Sequence, residues 1–197
     1  MTVDAVARPR AGQKPGHVPG EPGLWVLVFG DLLVFGVFFV MVLALRGQDP
    51  AEFVAAQQTL HVEWGVLNTI VLLTSSLFVV LGVRRAAERD PRAPRLLLAA
   101  VACGLIFAGV KAIEYTTLVQ DGHRPAGDEF HAYYFMFTGV HLAHVLIGMS
   151  ALLFAARLAR PSFTGTHRNG ALEGIATFWH LVDLLWIMLF ATLYLMH

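Results

Sequence analysis

Apolar residues fill this chain in five blocks, and polar residues gather between them. The blocks run roughly Leu24–Leu45, Leu67–Val83, Leu96–Val119, Tyr133–Leu158 and Gly174–Met196. They are too long for core helices, and a helix that crosses a bilayer needs about 20 predominantly apolar residues. The second block is the shortest, about 25 Å at helical rise. Helix breakers separate the blocks, at Gly47 to Pro50, Pro91 and Pro94, Gly122 to Gly127, and Pro161 to Gly170. A membrane β-barrel would show alternating segments of about 10 residues, and the chain has none. The pattern predicts an all-α, polytopic membrane bundle of five transmembrane helices, with residues 21–197 as one membrane domain. Residues 1–20 are rich in Pro, Gly and charge. Such a segment cannot bury enough apolar surface to fold, so a flexible tail is expected. It does not read as a cleaved signal peptide, because the apolar run after it is too long and no A-x-A-like site follows.

Composition sharpens the class. The chain is 56% hydrophobic and 14% charged, with a mean hydropathy of +0.62. A soluble domain has about 25% charged residues. The formal net charge is zero, which leaves no basic surface for nucleic acid. The single Cys103 lies inside the third block. It excludes an intrachain disulfide, a Cys-pair metal site and a c-type haem motif. No fixed-period repeat is visible, and five spans do not supply the internal symmetry of an inverted-repeat transporter.

Charge then sets orientation. Arg8, Arg10 and Lys14 precede the first block. Arg84, Arg85, Arg89, Arg92 and Arg95 lie around the second connector, and Arg157, Arg160 and Arg168 around the fourth. The alternate connectors hold only Arg46 and Arg124. The positive-inside rule places the N-terminus in the cytoplasm and the C-terminus outside. Trp25, Trp64, Tyr133 and Tyr194 lie near block ends, where aromatic rings favour the membrane interface.

The candidate chemistry lies in polar residues inside the blocks. A charge at mid-membrane costs at least about 2.5–3.5 kcal/mol on insertion scales, so it is normally paired, turned toward protein, or functional. Asp31, in VFGDLLVFGVFF, lies about 10 Å from the cytoplasmic end of its block. Two readings of it stay open, a structural aspartate and a proton-relay carboxylate. Asn68, with Thr69, Thr74, Ser75 and Ser76, reads as a packing face, since small and hydroxyl residues let membrane helices approach closely. Lys111 and Glu114 stand three apart and can pair, which lowers the cost of both. Gly104 and Ala108 extend their stripe. His141 and His144 share one face of the fourth block and read as hydrogen-bonded structural histidines. One helix cannot supply both axial ligands of a haem, a His144–His180 pair is offset in depth, and a metal lacks a third ligand. In the last block, His180 and Asp183 share a face between Trp179 and Trp186, and Glu173 lies nearly on that face. Asp31, His180 and Asp183 fall at similar depth, which points to a polar clasp between the first and last helices.

Taken together these stretches resemble subunit III of the haem–copper oxidases, the cytochrome c oxidase subunit 3 family. Its W-H-x-V-D-x-x-W signature is present at Trp179–Trp186. Its T/S-G-x-H-x-x-H-V-x-x-G pattern is present at Thr138–Gly148. Its L-N-T…L-L-x-S-S looks like Leu67 to Ser76, its E-Y pair like Glu114-Tyr115, and its membrane glutamate like Asp31. The resemblance covers roughly Pro19 to the C-terminus. It implies a noncatalytic accessory subunit of a respiratory complex, packed against the catalytic haem–copper subunit in a bacterial-type inner membrane. It implies no haem or copper bound by this chain, phospholipid held between its helices, and support of proton uptake by the partner. The chain departs from the common seven-helix form, and Asp31 and Lys111 replace a usual glutamate and glutamine. The short form, the opening P-G-E-P-G-L-W and the K-x-x-E-Y motif look like the branch associated with nitric oxide reductase (NorE-like). Two other functions stay in view. One is a haem b-binding cytochrome using His144 and His180. The other is a small proton-coupled transporter using Asp31, Glu114 and Lys111.

Overall fold

The computed structural model describes residues 22–123, 129–165 and 167–196. The expected tail over residues 1–20, with Arg8, Arg10 and Lys14, and also Arg124, lie outside the described residues. Six helices follow in order: α1 Pro22–Gln48, α2 Pro50–Gln57, α3 Val62–Ala87, α4 Ala93–Gln120, α5 Glu129–Leu158 and α6 Arg168–Tyr194. All but α2 are long and apolar enough to cross a membrane. The described residues contain no strand, and the chain is a multi-pass membrane protein.

The helices outrun the apolar blocks by one to two turns at several ends, because backbone hydrogen bonding continues where the lipid-compatible side chains stop. The α6 helix begins six residues before the expected span, so Glu173 lies within it and does not precede it. Two of the expected breakers start helices. Asp49 caps α2, its Oδ1 accepting from the Glu52 amide at 3.0 Å. Pro50 takes the first helical position, where its missing N–H costs nothing. Pro94 likewise lies in the first turn of α4.

Helices α3, α4, α5 and α6 close a ring in which each packs on the next and α6 returns to α3. Short connections make sequence neighbours antiparallel. The α1 helix stands outside this ring, against α6, α2 and α5, and keeps much of its surface exposed (Val26 75%, Leu33 72%). Close approach within the ring relies on glycine. A Cβ added at Gly148 of α5 would lie 2.7 Å from the Trp179 ring, and one at Gly104 of α4 would lie 2.6 Å from the Met149 sulfur. Gly104 therefore seats α4 as the stripe of small residues predicts.

The α3–α4 turn and the end of α4 use the same Schellman closure. In the first, Asp90 N–H donates to Arg85 carbonyl at 2.9 Å and Arg89 N–H to Ala86 carbonyl at 3.1 Å, with Arg89 at φ 57°. In the second, His123 N–H donates to Leu118 carbonyl at 2.9 Å, and the left-handed residue is Gly122. The Arg92 amide beside Asp90, helped by the Arg85 guanidinium, holds that carboxyl below its usual range.

Arg168 ties three helices together at this end. Its Nε donates to the Leu158 carbonyl at 2.9 Å, and a terminal nitrogen donates to the Ala86 carbonyl at 2.5 Å. A residue counted from the sequence only as an orienting charge thus satisfies the C-terminal carbonyl of α5 and adds a second donor to the Ala86 carbonyl, which already accepts from Arg89 N–H.

Candidate functional site

Three centres of polar side chains inside the membrane helices stand out among the described residues, each held by different helices. The most complete surrounds Lys111 of α4, which is 0% exposed. Its ammonium donates to Glu114 Oε2 at 2.9 Å, to Tyr134 Oη of α5 at 3.0 Å and to Tyr194 Oη of α6 at 2.9 Å. An ammonium has three hydrogens, and each has one acceptor. Tyr194 donates its hydroxyl hydrogen to Glu114 Oε1 at 2.5 Å. That leaves Tyr134 as the donor in the 3.0 Å contact between the two phenols. The charge also lies over the rings of Trp186 at 4.9 Å, Tyr134 at 5.0 Å, Tyr194 at 5.4 Å and Tyr115 at 5.7 Å from the centroids. Cation–π attraction strengthens where the cation is desolvated.

The predicted pairing of Lys111 with Glu114 is therefore present, inside a cage that sequence reasoning missed. Tyr194 does not turn its ring outward from the bundle, as an interfacial anchor would. It is buried, because α6 turns it inward. The signal lay in spacing: Trp179, Asp183, Trp186, Phe190 and Tyr194 advance by four, three, four and four, which keeps them on one helical face. Tyr134 is likewise one turn from Thr138 and two from His141.

The second centre joins α1 to α5. Asp31 Oδ1 lies 3.4 Å from His144 Nε2. His144 Nδ1 is 2.8 Å from the carbonyl of Val140, one turn earlier. A neutral ring that donates from Nδ1 to that carbonyl presents Nε2 as an acceptor, and a protonated ring donates to Asp31 as well. Both side chains keep partial exposure, 21% for His144 and 17% for Asp31.

The third centre joins α3 to α6. Ser76 Oγ lies 2.7 Å from His180 Nδ1. Asp183 approaches that same nitrogen only to 3.8 Å, beyond hydrogen-bond length. The clasp expected between Asp31 and the His180–Asp183 pair is not formed. Asp31 turns to His144, and His180 turns to Ser76. Depth was similar, but the faces differ. His144, Glu173 and His180 are also only partly buried, not enclosed as expected. Asn68, Lys111, Glu114, His141 and Asp183 are buried.

The α3 packing face is present. Ser75 donates to the Ala100 carbonyl of α4 at 3.0 Å, and Trp186 Nε1 donates to Thr69 Oγ1 at 3.0 Å. His141 rests against Trp186, with ring centroids 5.4 Å apart, and against Phe107 at 5.7 Å. His144 and His180, the pair considered for haem, face different neighbours. Among the described residues no three His, Cys, Asp or Glu side chains gather as metal ligands. A separate cavity of about 380 Å³ lies at the α2 end, lined by residues that include Asp49, Glu52, Glu129 and the stacked rings of His123 and His131.

Comparison with known proteins agrees on one family. The family model for cytochrome c oxidase subunit III matches residues 23–197. Cytochrome c oxidase subunit 3 of Corynebacterium diphtheriae is 31% identical over 176 residues, which cover 87% of this chain and 85% of that protein. The subunit 3 of Thermostichus vulcanus is 31% identical over 179 residues, covering 88% and 86%. That of Bacillus sp. (strain PS3) is 25% identical over 177 residues, covering 88% and 84%.

Proposed function

The chain belongs to the cytochrome c oxidase subunit III family, and on that premise we propose that it is a noncatalytic accessory subunit of a respiratory haem–copper complex. The observation that carries this reading is the family match over residues 23–197, which spans all five membrane helices. The haem and copper chemistry belongs to the catalytic partner in this proposal. This chain contributes assembly, stability and support of proton uptake, with phospholipid between its helices. Its setting is a bacterial-type cell membrane.

The arginine-rich end faces the cytoplasm in this proposal. Arg168 brings the ends of α3 and α5 together at the start of α6. Arg84, Arg89, Arg92, Arg95, Arg157 and Arg160 are exposed at that same end, as the positive-inside rule requires.

The oxidase reading is preferred to a nitric oxide reductase partner. The short five-helix form does not mark the nitric oxide branch by itself. Relatives named cytochrome c oxidase subunit 3 are matched over 84–86% of their own length. The K-x-x-E-Y motif at Lys111 remains the feature that favours the other branch.

Asp31 is the proposed proton-relay group. It is a membrane carboxylate that retains partial exposure, and the His144 imidazole stands beside it. Asp31→Asn should lower complex turnover by roughly 2- to 10-fold while assembly survives, well below the roughly 100-fold floor of a general acid–base contribution at a reacting centre. Unchanged turnover across pH would make Asp31 structural.

Purification in mild detergent tests the accessory role itself. The chain should co-purify with a haem-bearing partner. A chain that runs alone under those conditions removes the basis of the proposal.

A further inference from the structure

The contact between His180 and Ser76 lies at mid-membrane, on an outer flank of the four-helix ring. Ser76 is near the middle of the 26 residues of α3, and His180 near the middle of the 27 residues of α6. At helical rise each is about 17–21 Å from either end of its helix. The His180 side chain is 37% exposed. One turn on, on the same flank of α6, Leu184 is 51% exposed. Leu73, one turn before Ser76 on its side of α3, is 50% exposed.

One edge of the imidazole is met by protein. Ser76 Oγ is 2.7 Å from Nδ1, and Asp183 Oδ2 stands 3.8 Å from the same atom. Among the described residues no hydrogen bond reaches Nε2, and that atom is not enclosed. The tautomer does not change this. If Nδ1 accepts from Ser76, Nε2 carries the ring hydrogen and needs an acceptor. If Nδ1 donates, Nε2 holds a lone pair that needs a donor. In both cases one hydrogen bond is open outward, among exposed leucines.

Hydrocarbon cannot make that bond, and a polar group left unmet there costs free energy. A phospholipid headgroup does not reach it, since headgroups begin about 15 Å from the midplane. A side chain on a neighbouring membrane helix does. Apolar contact between helices is matched by contact with lipid, so polar side chains supply much of the preference for a helix partner. The flank has that make-up, with a hydrogen-bonding centre and leucines beside it.

We infer that the α3–α6 flank at His180 docks a transmembrane helix of the haem-bearing partner, which sets a hydrogen-bonding side chain against His180 Nε2. The inference rests on the accessory-subunit reading and adds to it the face and the depth of the contact.

Photocrosslinking in the purified complex tests it. Benzoylphenylalanine is placed at Leu184 and, in a second sample, at Leu105, which is 60% exposed on α4, across the ring from α6. The Leu184 probe should join a membrane-spanning peptide of the partner, and the Leu105 probe should not. An intact complex with no partner product from Leu184, or with equal yields from the two probes, overturns the inference. A chain that purifies alone overturns the accessory reading and this inference with it. His180→Leu should weaken retention of the partner about 3-fold, the worth of one interhelical hydrogen bond in a membrane. His180→Gln, whose amide can still bond across the contact, should restore most of that loss. Retention equal to the parent's in folded His180→Leu would remove His180 from the contact. If that variant fails to fold, the crosslinking, which keeps His180, decides alone.

Discussion

Lys111 and His141 are both fully buried, on adjacent helices, against opposite sides of one requirement. The ring of Trp186 is shared by the two, 4.9 Å from the Lys111 ammonium and 5.4 Å from the His141 centroid. Around Lys111 every hydrogen has an acceptor, and two phenols and a carboxylate close the network. Around His141 neither nitrogen has a protein partner. The difference follows from charge. An unpaired buried ion costs far more than an unpaired buried neutral group. An ammonium in the bundle must therefore be met by fixed protein atoms, whereas an imidazole or amide can be completed by water.

The hardest test of this contrast removes the cation. Lys111→Met leaves Glu114 buried beside two phenols with no positive partner. The expected loss of stability is about 3–5 kcal/mol, the range for breaking one side of a buried pair. The double change Lys111→Met with Glu114→Gln should recover most of it, because no charge then remains to be stranded. Denaturation midpoints in detergent would show both effects. A single variant as stable as the parent would mean that the cage contributes no more than its neutral neighbours. Tyr194→Phe is a milder probe. It deletes the hydroxyl between Lys111 and Glu114 but leaves the ion pair, and should cost about 1–2 kcal/mol. A loss equal to that of Lys111→Met would assign the cage's stability to the phenol and not to the charge.

What could be read from the sequence divides along the same line. Distance along a helix axis is legible to within a turn or two, because apolar runs fix the number and order of the spans and charges mark which ends lie together. The five spans and the Lys111–Glu114 pair come from that reading. Direction around the axis is harder, since it depends on which helix lies on which side. Asp31, His180 and Asp183 have similar depth, yet Asp31 faces His144 and His180 faces Ser76. Tyr194 lies near a helix end, where an aromatic residue reads as an interface anchor, whereas its spacing from Trp186 and Asp183 puts it on the inward face. The α2 helix was hidden for another reason. Asp49 and Pro50 read as breakers, and the same residues start a helix when a chain segment follows that can use the cap. Arg168 shows the limit of charge counting, because its sign orients the chain while its hydrogens bond two neighbouring helices.

The smallest expected effect is the one that probes the other side of the contrast. Asn68 is as buried as Lys111, at 0% exposure, but removing its amide strands no protein atom. Leucine has nearly the same volume, so Asn68→Leu neither opens a cavity nor overfills the ring. No protein hydrogen bond is lost, and replacing a buried polar group by an apolar one of similar shape can be nearly neutral. The stability of Asn68→Leu should therefore stay within about 1 kcal/mol of the parent, measured in the same detergent titration. A loss approaching that of Lys111→Met would show that Asn68 holds a direct protein partner. The two centres would then obey one rule, and the contrast between a buried cation met by protein and a buried amide that is not would fail.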